Sequence, residues 1–173
     1  MKKWTLVLLF VVLSITISGC QSDAKFPPSE AQNYLRDTLS TRGYKSPDGD
    51  FYFASSDYLE LGSKGLGLRN NLAYYVLGDR RQVKELRLVL TIHDASRLDE
   101  SRQLFLKTAS QLVTRALGMN VSEETQKMLI SGEGFQYESD GAIIKSRSEN
   151  SGKAYITRFT IRPVEFGEVT LPY

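Results

Sequence analysis

The sequence predicts an α+β domain of two layers, an antiparallel sheet of about five to six strands with helices packed on one face. Three observations point to it. VKELRLVLTIH, from Val83 to His93, alternates apolar and polar residues at the period of a strand. The stretch from Arg97 to Leu117 repeats its apolar residues at helical spacing instead. Asp140-Gly141 stands between two alternating runs, a strong hairpin signal that implies antiparallel neighbours.

Taken in order, the elements run helix, three strands, two helices, three strands. Pro27-Pro28 blocks a helix before Ser29. Ser29 then reads as an N-cap, with Glu30 in the first turn. Ala31, Tyr34, Leu35, Thr38 and Leu39 follow 3.6-residue spacing, so an amphipathic helix is expected over Glu30 to Ser40. SPDGD, from Ser46, is turn chemistry. DFYFASSDYLEL reads as one strand, GSKGLGLRN as a glycine-rich hairpin connection, and LAYYVLGD as the next strand. In the strand from Val83, Leu86, Leu88, Leu90 and Ile92 share the face expected in the core; Arg87, Val89, Thr91 and His93 share the other. Ser96 opens S-R-L-D, close to a capping box. The following helix aligns Phe105, Ala109, Leu112, Val113, Ala116 and Leu117, and Gly118 stops it. Ser122 caps SEETQKMLIS, with Glu123 and Glu124 in its first turn and Gly132 at its end. GFQYES, AIIKSRSE and KAYITRFTIRP complete the strands, the last two joined by the turn NSG.

The N-terminus carries a different message. Lys2 and Lys3 precede a continuous apolar run from Leu6 to Leu13, and Ile15, Ile17, Ser18 and Gly19 lead to Cys20. That order is a secretory signal peptide. The run falls short of the roughly 20 apolar residues of a transmembrane helix. Ile17-Ser18-Gly19-Cys20 resembles the lipobox of bacterial lipoproteins, in which an aliphatic residue stands three before the cysteine and small residues fill the gap. The resemblance covers the leader alone. It implies cleavage between Gly19 and Cys20, an S-diacylglycerol thioether on Cys20, and acylation of its new amino group. Cys20 is the single cysteine of the chain, so no intramolecular disulfide competes for it. Gln21 follows where aspartate would resemble an inner-membrane retention signal in enteric-type bacteria. The resemblance therefore implies the outer membrane, with the domain facing the periplasm; a cytoplasmic-membrane anchor facing outward is the alternative. The organisation expected is a signal peptide over 1–19, a lipidated tether over 20–28 and a single domain over 29–173.

A chain of 173 residues gives this domain room for a real core. The 22 Lys+Arg exceed the 20 Asp+Glu only through Lys2 and Lys3 of the leader, and Trp4, the only tryptophan, is lost with them. A charge-balanced mature domain argues against a nucleic-acid partner.

No catalytic set is legible. His93 is the only histidine, and no ligand spacing suggests a metal or another cofactor. His93 and Asp94, adjacent on a strand, point to opposite faces, and no G-x-S-x-G elbow supplies a nucleophile. The glycine-rich connection matches neither a phosphate loop nor a dinucleotide fingerprint. Asp99-Glu100 and Glu123-Glu124 are explained by their places in helix first turns. The remaining constellation is basic. Lys145 and Arg147 alternate on one strand, Arg158 and Arg162 on another, and Arg87 lies on the outer side of a third. Were these strands neighbours, the sheet would present a basic face to an acidic partner, a lipid head group or a glycan, tempered by Glu85, Glu138 and Glu149.

The expectation is therefore a non-enzymatic, membrane-anchored envelope lipoprotein presenting a small binding domain to a protein partner, as an accessory of an envelope assembly. The alternatives are an immunity or exclusion lipoprotein that blocks a toxin or transfer machinery, and, below it, an envelope glycan or lipid hydrolase.

Overall fold

A computed structural model describes residues 25–62 and 68–169. The leader, Cys20 and the middle of the glycine-rich connection lie outside the described residues. The architecture is the expected α+β one: a seven-stranded antiparallel sheet with its helices packed on one face. The strands are β1 (Tyr52–Ser55), β2 (Leu59–Leu61), β3 (Asn70–Gly78), β4 (Val83–Ile92), β5 (Phe135–Ser139), β6 (Ala142–Ser151) and β7 (Ala154–Pro163). Their order is β1-β3-β4-β7-β6-β5, with β2 also on β3. The helices are α1 (Pro28–Ala31), α2 (Leu98–Leu117) and α3 (Glu123–Ser131).

The strand count exceeds the expected one because DFYFASSDYLEL is two strands on one edge. Ser55 pairs with Tyr75 and Leu59 with Leu72, so the edge holds one residue more than β3 between those pairs. Ser56 marks the break: its N–H donates to Tyr74 O at 2.8 Å, and its hydroxyl accepts from Tyr74 N at 3.0 Å. A side chain thus completes the ladder where the backbone has bulged.

Leu86, Leu88, Leu90 and Ile92 are buried beneath the helices, as their alternation requires. Phe105, Ala109, Leu112 and Val113 of α2 meet them with Leu72, Tyr74 and Val76 of β3 and Phe159 and Ile161 of β7. Ala116 and Leu117 lie at the margin of this core. The turns also follow the sequence closely. Ser122 accepts from Thr125 N at α3, and Gly118 and Gly132 end the two long helices in left-handed conformation. Asp140 and Gly141 both take positive φ, 48° and 64°, as the tight hairpin turn demands. The β6–β7 turn is Gly152-Lys153 rather than NSG, because Asn150 and Ser151 still pair with Tyr155 and Ala154.

Two helix starts differ from expectation. The N-terminal helix stops at Ala31, and turns carry the chain to Leu39. Competition for carbonyls explains this. Gln32 Nε2 donates to Pro28 O, Asn33 Nδ2 to Ser29 O, Tyr74 Oη to Ala31 O, Thr41 Oγ1 to Gln32 O and Arg115 Nη1 to Tyr34 O. Three-residue bonds such as Asn33 N to Glu30 O replace much of the helical ladder. The apolar residues still reach the core, where Ala31, Leu35 and Leu39 are buried. Ser29 is not the cap; Pro27 occupies that place without a side-chain bond. At α2, a 3-10 turn over Ala95–Arg97 comes first, and Asp94 caps it by accepting from Ser96 N at 2.9 Å. Ser96 is therefore a donor to the cap and not the cap itself.

Gly78 shows how tightly the β3–β4 turn is closed. A Cβ there would stand 2.2 Å from Gln82 O and 2.7 Å from Tyr44 Oη, the hydroxyl that donates to Asp79 O. Because the closest obstacle is backbone, Gly78→Ala is expected to destabilise the domain by about 1–3 kcal/mol, read as a lower urea midpoint. A midpoint equal to that of the parent would show that the turn has slack.

Candidate functional site

The five basic residues do share one face, the side of the sheet away from the helices. Register places them as neighbours: Arg87 and Lys145 both flank Thr160, and Arg158 lies between Val89 and Arg147. Arg162 is opposite Ile143 on the same side. The period of two in each strand sends these side chains outward while Leu88, Phe159 and Ile144 go to the core.

The face is more neutral than its basic count suggests. Arg158 Nη1 meets Glu149 at 2.5 Å, and Arg147 Nη2 stands 3.8 Å from the same carboxylate. Arg87 Nε donates to Glu85 at 2.6 Å, with the Glu85 side chain only 2% exposed. The buried carboxylate is satisfied twice, since its second oxygen accepts from Val169 N at 3.2 Å. Glu138 makes none of the ion pairs found among the described residues.

The remaining balance comes from the C-terminal segment after β7, a source that strand alternation did not reveal. It lies as a strap across this face. Lys145 pairs with Glu168, Arg162 Nη1 donates to Phe166 O at 2.8 Å, and Arg87 Nη2 donates to Val169 O at 2.7 Å. Lys84 Nζ stands 5.7 Å from the Phe166 ring centre. The cations depress the carboxyls they touch: a hydrogen bond from Arg158 holds Glu149 below its ordinary range, and one from Lys145 does the same for Glu168. Arg147 is the basic group most open to a partner, with 67% of its side chain exposed. The strap thus confines the accessible part of the face to Arg147, Arg158 and their shared glutamate.

No hydrogen bond joins the side chains of His93 and Asp94 among the described residues. Asp94 is occupied by Ser96, whose hydroxyl donates to it at 2.7 Å and draws its carboxyl below the usual value. Both backbone N–H groups of this corner donate to Asn70 Oδ1 at 2.8 Å. Glu100 in the first turn of α2 accepts from Arg97, and Glu123 and Glu124 open α3. Among the described residues, no three His, Cys, Asp or Glu side chains gather as metal ligands, and no helix is long and apolar enough to cross a membrane. Comparison with known proteins finds no matching family model, curated protein or solved structure.

Proposed function

We propose that the protein is a lipid-anchored, non-enzymatic lipoprotein of the bacterial envelope, whose domain binds a partner close to the membrane. The observation that supports this most is the short step from the lipobox cysteine to the folded domain. Phe26 is fully buried, and its carbonyl accepts from Val83 N at 3.4 Å. Packing therefore begins six residues after Cys20, a distance the chain spans with at most about 20 Å. Acyl chains on Cys20 would hold the domain against the bilayer surface, where confinement raises its effective concentration for any membrane-bound partner. The outer membrane is the proposed site, following the residue after the cysteine, Gln21.

The entry point also orients the domain. Lys25 pairs with Asp140 in the β5–β6 turn at 3.1 Å, so the tether enters at the end of the sheet that holds Val83, Asp140 and Pro163. With the strands rising from that end, the sheet face stands clear of the bilayer, open to an acidic protein surface through Arg147 and Arg158. Electrostatic complementarity of this kind governs partner choice and association rate. Native envelopes solubilised in mild detergent supply the test. Arg147→Glu with Arg158→Glu is expected to reduce recovery of at least one co-purifying protein by about tenfold. Unchanged recovery of every partner would remove this face from the binding function.

A further inference from the structure

A second basic site lies at the opposite end of the sheet. There β4 ends, the chain turns into α2, and the Gly152-Lys153 turn of the β6–β7 hairpin comes alongside, with Ile92 pairing with Tyr155. These elements line an open cleft of about 350 Å³. Its polar lining includes His93, Arg102, Lys153 and Tyr155, and no carboxylate lines it. Ile92 and Leu98 supply an apolar wall.

Arg102 is the centre of this arrangement. It makes no ion pair or side-chain hydrogen bond among the described residues, and its Nε is buried without a partner. Its guanidinium lies 5.7 Å from the centre of the Tyr155 ring. Tyr155 is held in turn, because its hydroxyl donates to Gly132 O at 3.2 Å. Gly132 leaves the room for both: with φ at 79°, a Cβ there would stand 2.6 Å from Arg102 Nη2 and from Tyr155 Oη. The guanidinium is thus placed by an aromatic face and by the C-terminal end of α3, whose carbonyls favour a cation. His93 Nδ1 is also buried without a partner. A partly desolvated guanidinium such as that of Arg102 attracts an anion more strongly than one in bulk water.

We propose that this cleft binds a phosphomonoester, with Arg102 and Lys153 contacting the phosphoryl oxygens, His93 as a third donor and Tyr155 positioning Arg102. The charge decides the ligand class. Arg102 and Lys153 bring two positive charges with no acidic neighbour in the lining, which matches a phosphomonoester carrying about −2 better than a single carboxylate. Three acceptor oxygens also suit donors drawn from three elements, the end of β4, α2 and the β6–β7 turn. The volume admits a small organic body beside the phosphate, against Ile92 and Leu98. The site rests on this geometry alone. Its source rests on the lipid tether proposed above: the cleft lies about 30 Å along β4 from the end at which the tether enters, so the ligand is a soluble ester and not a head group of the anchoring bilayer.

Calorimetric titration of the full-length protein in detergent, with glycerol 1-phosphate at fixed ionic strength, tests the site. Saturable binding is expected, weakened about tenfold or more by Arg102→Gln and by Lys153→Gln and unchanged by Lys127→Gln on α3. Lys153 stands exposed in a turn, so its variant remains informative even if Arg102→Gln fails to fold. No saturable binding, equal binding of acetate, or affinity retained in Lys153→Gln would overturn the proposal. Protein reconstituted in phosphatidylcholine vesicles, with and without phosphatidic acid, tests the source. Equal affinity for glycerol 1-phosphate in both is expected, and competition by phosphatidic acid in the same bilayer would overturn the soluble assignment. The titration in detergent does not depend on whether Cys20 is acylated, whereas the vesicle arm does, so failure of the site and failure of the anchor are read separately.

Discussion

Replacing Asn70 by alanine is expected to destabilise the domain by about 2–4 kcal/mol, a larger effect than loss of any surface ion pair. Asn70 is 1% exposed and uses its whole amide. Nδ2 donates to Asp94 O and to Ser101 Oγ, both at 3.0 Å, while Oδ1 accepts from His93 N and Asp94 N, both at 2.8 Å. One side chain therefore ties the first residue of β3 to the corner between β4 and α2. Alanine would leave the buried Ser101 hydroxyl and the corner's backbone groups to find other partners, and a network loses more than one bond's worth when its hub is removed. The urea midpoint should fall with little change in slope. Asn70→Asp keeps the acceptor but buries a charge and turns a carboxylate oxygen onto Asp94 O, so its midpoint should also fall well below the parent's. Since His93 is held by this corner, glycerol 1-phosphate affinity should fall in Asn70→Ala as well. A midpoint within experimental error of the parent would contradict the role given to this residue.

The second large effect is on modification. Cys20→Ser is expected to abolish fatty-acid labelling and to leave the leader uncleaved, because serine cannot form the thioether that precedes leader cleavage in lipoproteins. The single thiol leaves no substitute site. Several acyl chains give stable anchoring where one would be marginal, so the labelled parent should stay with the membrane through a carbonate wash. The uncleaved leader is itself apolar and would hold the variant there too, so the readout is the label and the leader and not the fraction. Label retained in Cys20→Ser, or no label in the parent, would defeat the anchoring proposal.

Local patterns were legible in the sequence, and long-range bonds were not. The alternation in β4 and the stripe of α2 are set by periods of two and 3.6 residues, which any window of the chain displays. Gly118, Gly132 and Asp140-Gly141 were legible because backbone geometry at a helix end or tight turn restricts residue type. The N-terminal helix is shorter than its spacing predicts, since its carbonyls are claimed by Tyr74, Thr41 and Arg115, residues that only the fold brings near. The break at Ser56 depends on Tyr74 in the same way.

The site divides along the same line. Alternation alone sends Arg87, Lys145, Arg147, Arg158 and Arg162 to one face, provided that their strands are neighbours. Their neutralisation by the strap cannot be read that way, because Arg87 and Val169 lie 82 residues apart. Nor can the cleft: Arg102, Lys153 and Tyr155 belong to an α-helix and a β-hairpin and show no shared motif. Irregular backbone after β7 hid Glu168 as a partner, although its charge was visible.

Mass spectrometry of the protein recovered from native envelopes tests the central proposal most directly. The expected result is a mature N-terminal peptide that begins at Cys20, lacks residues 1–19 and carries a diacylglyceryl thioether with an acylated amino group. A chain that retains the leader, or one that begins elsewhere with Cys20 as a free thiol, would contradict it.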